Sequence, residues 1–513
     1  MSKFNLRIPA AFFVAAFLAA CSNESSDSVE SESTANAAMS ETVSETSSAP
    51  AAEAITDVVQ TQQGAVRGET VTEIGLSARI FRGIPYAAAP VGELRWKAPQ
   101  APASWEGIRD AIEWPNRCPQ GESSMGAGGP ISEDCLHVNV VTAAKTAGDN
   151  LPVMVFFHGG GLTSGTGNST TYNHPMLPNK GVVLVTVNSR LGPIGYLAHS
   201  ALTEESEFGS GNYGTLDLKA SLDWVKANIK AFGGDPDNVT IFGESGGGTK
   251  TISQMATPLA RDLFHRAIVE SGSALVSPQR VTMLEDAEAI GDKLVAKLGL
   301  ENAEDVASAL REVSWEDIIA AASSEEVGFR ANVVVDGHVI PKPVSDIFSE
   351  GLQAKVPLIV GANEGERSLQ TSVPLMANLH SKTGSPNTYT YNFTQLPKGW
   401  REEEGCVAFH GLELTYVFGA VPLGLSSRTT QFLAAGGGCS VAVPEHDDED
   451  MKIAEQAATV WAQFARTGDP SVEGLIEWPA YTEENSNYLD ISAPLTAKTG
   501  IEDSYVAPPP RGE

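Results

Sequence analysis

Unbroken apolar runs mark the middle of the chain: Val153-Met154-Val155-Phe156-Phe157, Val182-Val183-Leu184-Val185-Thr186-Val187 and Val239-Thr240-Ile241-Phe242. A strand reads this way, without alternation, when both of its faces are covered, as in a parallel sheet. Val356-Pro357-Leu358-Ile359-Val360-Gly361 is a further strand candidate. Between the second and third runs, Leu218, Leu222, Val225 and Ile229 recur at helical spacing and predict a helix over residues 216–231. Phe232-Gly233-Gly234-Asp235-Pro236 ends it. Trp461 and Phe464 lie near the end of an amphipathic helix that stops at Gly468-Asp469-Pro470. Earlier, strand-like residues 58–67 and 76–81, separated by Gly64, Gly68 and Gly75, predict an antiparallel meander. Buried strands alternating with helices call for an α/β fold: a mixed, mainly parallel central sheet with helices on both faces.

The pattern differs at the N-terminus. Lys3 and Arg7 precede an apolar run over residues 8–20, too short for the ~20 residues of a spanning helix and typical of an export signal. It ends in Leu18-Ala19-Ala20-Cys21, which resembles the lipobox of bacterial lipoprotein signals. The resemblance implies cleavage before Cys21, acylation of that cysteine and anchoring in a membrane leaflet, with Ser22 favouring the outer membrane. The expected location is therefore the periplasm or cell surface; the alternative is a plain signal peptide. Ser, Glu, Ala and Thr dominate from Ser22 to about Thr56, and the segment cannot bury enough surface to offset its ordering entropy. Three segments are expected: a signal over residues 1–20, a disordered acidic tether over 21–57, and one folded domain over 58–513.

Charge narrows the function classes. Sixty-four acidic residues against 34 basic ones give a formal net charge of -30, which repels phosphate backbones and argues against nucleic-acid binding. The five cysteines, Cys21, Cys118, Cys135, Cys406 and Cys439, contain no C-x-x-C pair, so zinc and thioredoxin-type readings fail. Four cysteines beyond Cys21 are consistent with two bridges in an oxidising compartment. A bridge between Cys406 and Cys439 is left open.

The chemistry sits where the third apolar run stops: Gly243-Glu244-Ser245-Gly246-Gly247-Gly248. A strand, a strained turn carrying a serine and then a helix make a nucleophile elbow. The first apolar run leads into His158-Gly159-Gly160-Gly161, an arrangement that aims backbone N–H groups at a developing oxyanion. A serine nucleophile needs a histidine to take its proton and a carboxylate to fix that histidine's tautomer. In this arrangement the chain order is serine, acid, histidine, and only His380, His410 and His446 follow the candidate acids Glu364 and Glu366. His446 lies in an acidic loop, and His380 in a polar stretch expected to be exposed. His410 sits in Val407-Ala408-Phe409-His410-Gly411, ahead of Val417-Phe418-Gly419.

Several of these segments, together with Phe81-Arg82-Gly83-Ile84-Pro85-Tyr86-Ala87, Pro90-Val91-Gly92-Glu93-Leu94-Arg95-Trp96 and Ser132-Glu133-Asp134-Cys135-Leu136-His137-Val138-Asn139-Val140, resemble the type-B carboxylesterase family, which includes cholinesterases and para-nitrobenzyl esterases. The resemblance runs from about Val58 to about Ile491. It implies an α/β-hydrolase fold and hydrolysis of carboxylic esters through an acyl-enzyme, with Ser245 as nucleophile, His410 as base and Glu366 as acid. It also implies an oxyanion hole from the amides of Gly160, Gly161 and Gly246. In this family His158 orients the glycine loop. The family's acid segment, G-x-N-x-D-E-G, is matched from Gly361 with Gly365 and Arg367 as departures, so Glu364 is the rival acid. Further implications are a Cys118–Cys135 bridge and an Arg95–Glu133 ion pair. The loop between those cysteines lacks the tryptophan with which cholinesterases hold a quaternary ammonium, which argues against choline esters. No cofactor or metal is expected, and the partner is a small-molecule ester; oligomeric state is not legible. Amide or thioester hydrolysis would use the same relay. Inert adhesion proteins of this fold lose the nucleophile, which is present here.

Overall fold

The computed structural model describes residues 54–121, 128–272 and 281–509. The expected signal, Cys21 and most of the tether lie outside the described residues. Eleven strands form the central sheet: β1 (Glu69–Glu73), β2 (Leu76–Pro85), β3 (His137–Thr142), β4 (Leu151–Phe157), β5 (Val183–Val187), β6 (Gly234–Glu244), β7 (Arg266–Glu270), β8 (Leu358–Asn363), β9 (Thr388–Phe393), β10 (Tyr488–Ile491) and β11 (Thr496–Lys498). Their spatial order is β1-β2-β3-β5-β4-β6-β7-β8-β9-β10-β11. All neighbours from β5 through β10 run parallel, while β1, β2 and β3 at one edge and β11 at the other pair antiparallel.

The unbroken apolar runs follow from burial on two faces. Val153, Val155 and Phe157 of β4 enter one core with Val239 and Ile241 of β6, whereas Met154, Phe156 and Phe242 enter the other. Helices α1 (Tyr213–Asn228), α2 (Gly246–Ala256) and α3 (Ser372–Thr383) supply Leu222, Ile252 and Met376 to the first core. Helix α4 (Asp448–Thr467) covers the second with Ile453, Ala457, Trp461 and Phe464. The burial is close to complete: β4 keeps only Leu151 partly exposed.

Three expectations need correction. The N-terminal strands are not one meander. Residues 58–60 and 65–67 pair in a separate three-stranded sheet with 108–110, while β1 and β2 join the central sheet. The predicted helix over 216–231 starts three residues early, at Tyr213, and its last turn tightens to a 3₁₀ turn over Ile229–Phe232. The apolar spacing locates a buried face but not a polar helix start. The ordered fold also begins before residue 58, because Ala54 bridges Thr146 and Ile55 is buried. A single isoleucine inside a polar run carries no periodicity to reveal this.

Candidate active site

β6 delivers its last residue, Glu244, against the centre of the sheet, and α2 begins at Gly246. Ser245 bridges them at φ 57°, ψ -115°, a conformation that side chains other than glycine rarely adopt. Its N–H donates to the Glu270 carbonyl at 2.9 Å, pinning the turn to β7. The tightness explains the glycines: a Cβ on Gly247 would lie 1.9 Å from the Phe157 carbonyl oxygen. Strand β4, the turn and α2 pack backbone to backbone, which only glycine permits.

The end of β4 carries the glycine loop past the same turn. Gly160, at φ +96°, and Gly161, at φ +63°, hold left-handed conformations, and a Cβ on Gly246 would meet the Gly161 nitrogen at 2.4 Å. The three candidate oxyanion residues are therefore neighbours, and the Gly160 and Gly246 N–H groups have no acceptor among the described residues. Gln120 braces the loop, donating from Nε2 to the Gly165 carbonyl at 2.9 Å and accepting the Gly165 N–H at Oε1. Cys118 and Cys135 are disulfide-bonded, so this brace rises from the stapled loop. Arg95 and Glu133 pair through two hydrogen bonds of 2.6 Å. Arg95 Nη1 also donates to the Val313 carbonyl, tying that corner to the helical segment beyond residue 306.

On the opposite side, His410 Nδ1 donates to Glu366 Oε2 at 2.7 Å. Glu366 Oε1 accepts from the Ser271 hydroxyl at 2.7 Å and from the Asn363 N–H at 3.1 Å. It is Glu366, not Glu364, whose carboxylate meets the ring. Glu364 continues the β8 register, its N–H bonded to Phe393, and its side chain lies in the field of Asp490 and Lys498. Burial pushes the Glu366 carboxyl up, but the charge and hydrogen bonds of His410, with those of Ser271 and Asn363, hold it below the usual range. Burial likewise depresses His410, yet the carboxylates of Glu244 and Glu366 outweigh it and raise the ring well above an ordinary histidine.

Glu244 was invisible as a site residue, although it stands inside the serine motif. Its Oε1 lies 3.1 Å from His410 Nε2 but accepts no hydrogen bond, so it acts on the ring through its charge. Burial pushes it up to about 7. Ser271 and Glu413 were missed too. Glu413, deeply buried, accepts from Asn363 Nδ2, which also holds the Phe409 carbonyl beside His410. Cys406 and Cys439 are disulfide-bonded and enclose His410 in their loop. His380 is a correction: it is fully buried, with Nε2 on the Val356 carbonyl at 2.8 Å, because α3 turns its apolar face and this histidine inward. His446 is exposed. A cavity of about 160 Å³ opens beside the glycine loop, lined by Gln120, Thr163, Pro193, Ile319, Phe329 and Ala331 among others. A larger one of about 390 Å³, between Leu76 of β2 and Met451 of α4, contains neither serine nor histidine.

This geometry can be set beside known proteins. The model of the carboxylesterase family matches residues 55–374 and 368–507. The chain belongs to that family. It is 32% identical to the para-nitrobenzyl esterase of Bacillus subtilis (strain 168), over 87% of this chain and 96% of the relative. It is also 32% identical to the fumonisin B1 esterase of Sphingopyxis macrogoltabida, over 83% and 84%. Liver carboxylesterase 1 of Oryctolagus cuniculus is 29% identical over 88% and 92%. A solved para-nitrobenzyl esterase structure superposes with a TM-score of 0.74 at 31% identity, covering 86% of this chain and 97% of that one. This carboxylesterase-family chain has the α/β-hydrolase fold and is a carboxylic ester hydrolase.

Proposed function

We propose that this esterase works through an acyl-enzyme on Ser245, with His410 as general base and Glu366 as the acid that orients it. The observation that carries the reading is the 2.7 Å bond from His410 Nδ1 to Glu366. With its proton committed at Nδ1, the neutral ring offers Nε2 as the acceptor for the Ser245 hydroxyl proton. Ser245 Oγ attacks the ester carbonyl carbon, and the amides of Gly160, Gly161 and Gly246 receive the oxyanion. His410 then gives its proton to the departing alkoxide. Water, activated by the same ring, releases the acid. Well-placed oxyanion donors contribute roughly 10²–10³ each in rate.

The test is hydrolysis of short p-nitrophenyl esters by wild type and Ser245→Ala. Activity confined to the wild type supports the assignment; equal activity in both overturns it.

The cellular setting is a separate part of the proposal. The basic start, the apolar run and Leu18-Ala19-Ala20-Cys21 support export, lipidation of Cys21 and an outer-membrane anchor with residues 22–57 as spacer. Intact mass of the mature protein decides this: a chain starting anywhere but a lipidated Cys21 sinks it.

A further inference from the structure

Lys250 lies on α2, one turn beyond the elbow, and is only 1% exposed. Among the described residues no carboxylate pairs with it. A buried amine without a counter-charge is costly, and an apolar side chain would fill the same space more favourably. Its partners account for its presence. Nζ donates to the His158 carbonyl at 3.1 Å and stands 3.3 Å from His158 Nε2. The other ring nitrogen, Nδ1, lies 2.9 Å from the Gly159 carbonyl, which can only accept. His158 therefore carries its proton on Nδ1 and presents Nε2 as a lone pair to Lys250. His158 is itself buried and stays neutral, since burial and the nearby lysine both disfavour its charged form.

These contacts form one line. Lys250 donates to His158 Nε2, His158 Nδ1–H donates to the Gly159 carbonyl, and that carbonyl shares its peptide unit with the N–H of Gly160. Each hydrogen bond in such a chain polarises the next, and the effect is greater where water is excluded. We propose that Lys250 is a positioning residue of the oxyanion hole, acting through His158 to hold and polarise the Gly159–Gly160 peptide. The second bond, to the His158 carbonyl, fixes the backbone one residue earlier, so the loop is clamped at two successive peptides. Burial pulls the lysine down to about 7, and either protonation state supplies the two donors the clamp uses. The inference rests on the oxyanion assignment above and adds to it the group that keeps the glycine loop polarised and in place.

Lys250→Met removes both donors while keeping the side-chain length. The expected result is a kcat for p-nitrophenyl esters lower by roughly 10–100-fold, somewhat less than loss of a direct oxyanion donor. KM should stay within about twofold, because ground-state binding is untouched. Affinity for a trifluoromethyl ketone, which forms an oxyanion on the serine, should fall by the same factor as kcat. Lys250→Gln, neutral but still a donor, should recover part of both. Unchanged kcat and ketone affinity in Lys250→Met would overturn the proposal, as would a fall in kcat with ketone affinity preserved. Should Lys250→Met fail to fold, ¹⁵N NMR of the histidine-labelled wild type decides. An Nδ1-protonated His158 with a hydrogen-bonded Nε2 supports the relay, and an Nε2-protonated ring refutes it. A Ser245→Ala chain that stays active would fell the catalytic assignment; a dead Ser245→Ala beside an unaffected Lys250→Met fells only this inference.

Discussion

The two halves of the site are built on different principles. The serine side is made from backbone: β4, β6 and α2 meet so closely that glycine is imposed, and one hydrogen bond from Ser245 to Glu270 locks the turn. The histidine side is made from side-chain charge. His410 sits on a loop segment among the carboxylates of Glu244, Glu366 and Glu413, with Glu270 close behind. A backbone device tolerates no added atom, whereas an electrostatic one can be retuned stepwise. Substitutions on the first side should therefore abolish structure or chemistry outright, and those on the second should shift titrations and rates by degrees.

The sharpest way to break that contrast is Gly247→Val. With a Cβ forced to 1.9 Å from the Phe157 oxygen, the expected outcome is loss of soluble, active protein in an expression assay. A folded, active variant would mean that the elbow yields. Next is the acid. Glu366→Gln should lower kcat by roughly 10³–10⁴-fold, as expected when the histidine loses its orienting carboxylate, while Glu364→Gln leaves it near wild type. The reverse result would reassign the acid. Removing the Cys118–Cys135 bridge by a double alanine substitution should cost about 3 kcal/mol in denaturant unfolding, the chain-entropy value for a loop of this size.

Two smaller effects sharpen the charged half. As the proposed base His410 must be neutral, and Glu244 and Glu366 raise its pKa, so activity should develop as pH rises through that value. Glu244→Gln removes one of those charges and should move the acid limb of the kcat/KM profile to lower pH; a limb that stays put would remove Glu244 from the account. Glu270 is pushed from 4.5 up to about 8 by burial, so the folded chain binds a proton that the unfolded chain releases between those values. Stability should therefore fall as pH rises across that window. In Glu270→Gln, melting curves should lose that part of the slope.

The same contrast decides what the sequence could reveal. The elbow was legible because its demand falls on composition at fixed positions: no Cβ at residues 246–248, and an apolar strand just before them. The paired strands were legible for a similar reason, since covering both faces leaves an unbroken apolar run. Glu366 against Glu364 was not separable by spacing alone. Both follow β8, and only the turn that bonds Glu366 N–H to the Asn363 carbonyl sends one carboxylate to the ring and the other away. Glu244 and Lys250 stood inside or beside the recognised motif, yet their roles depend on burial and on partners 166 and 92 residues distant in sequence. His380 deceived for the opposite reason: polar neighbours suggested exposure, but its ring is buried between the Val356 carbonyl and the Gln353 side chain, both from another segment.

The central claim, that Ser245 carries the acyl group, is tested most directly by acid-quenching the enzyme during turnover of a slowly deacylating p-nitrophenyl ester and mapping the added mass by peptide. The expected result is one acyl group on the peptide containing Ser245, formed with a stoichiometric burst of p-nitrophenol and absent from Ser245→Ala. An acyl group on any other residue, or a burst that survives in Ser245→Ala, would contradict it.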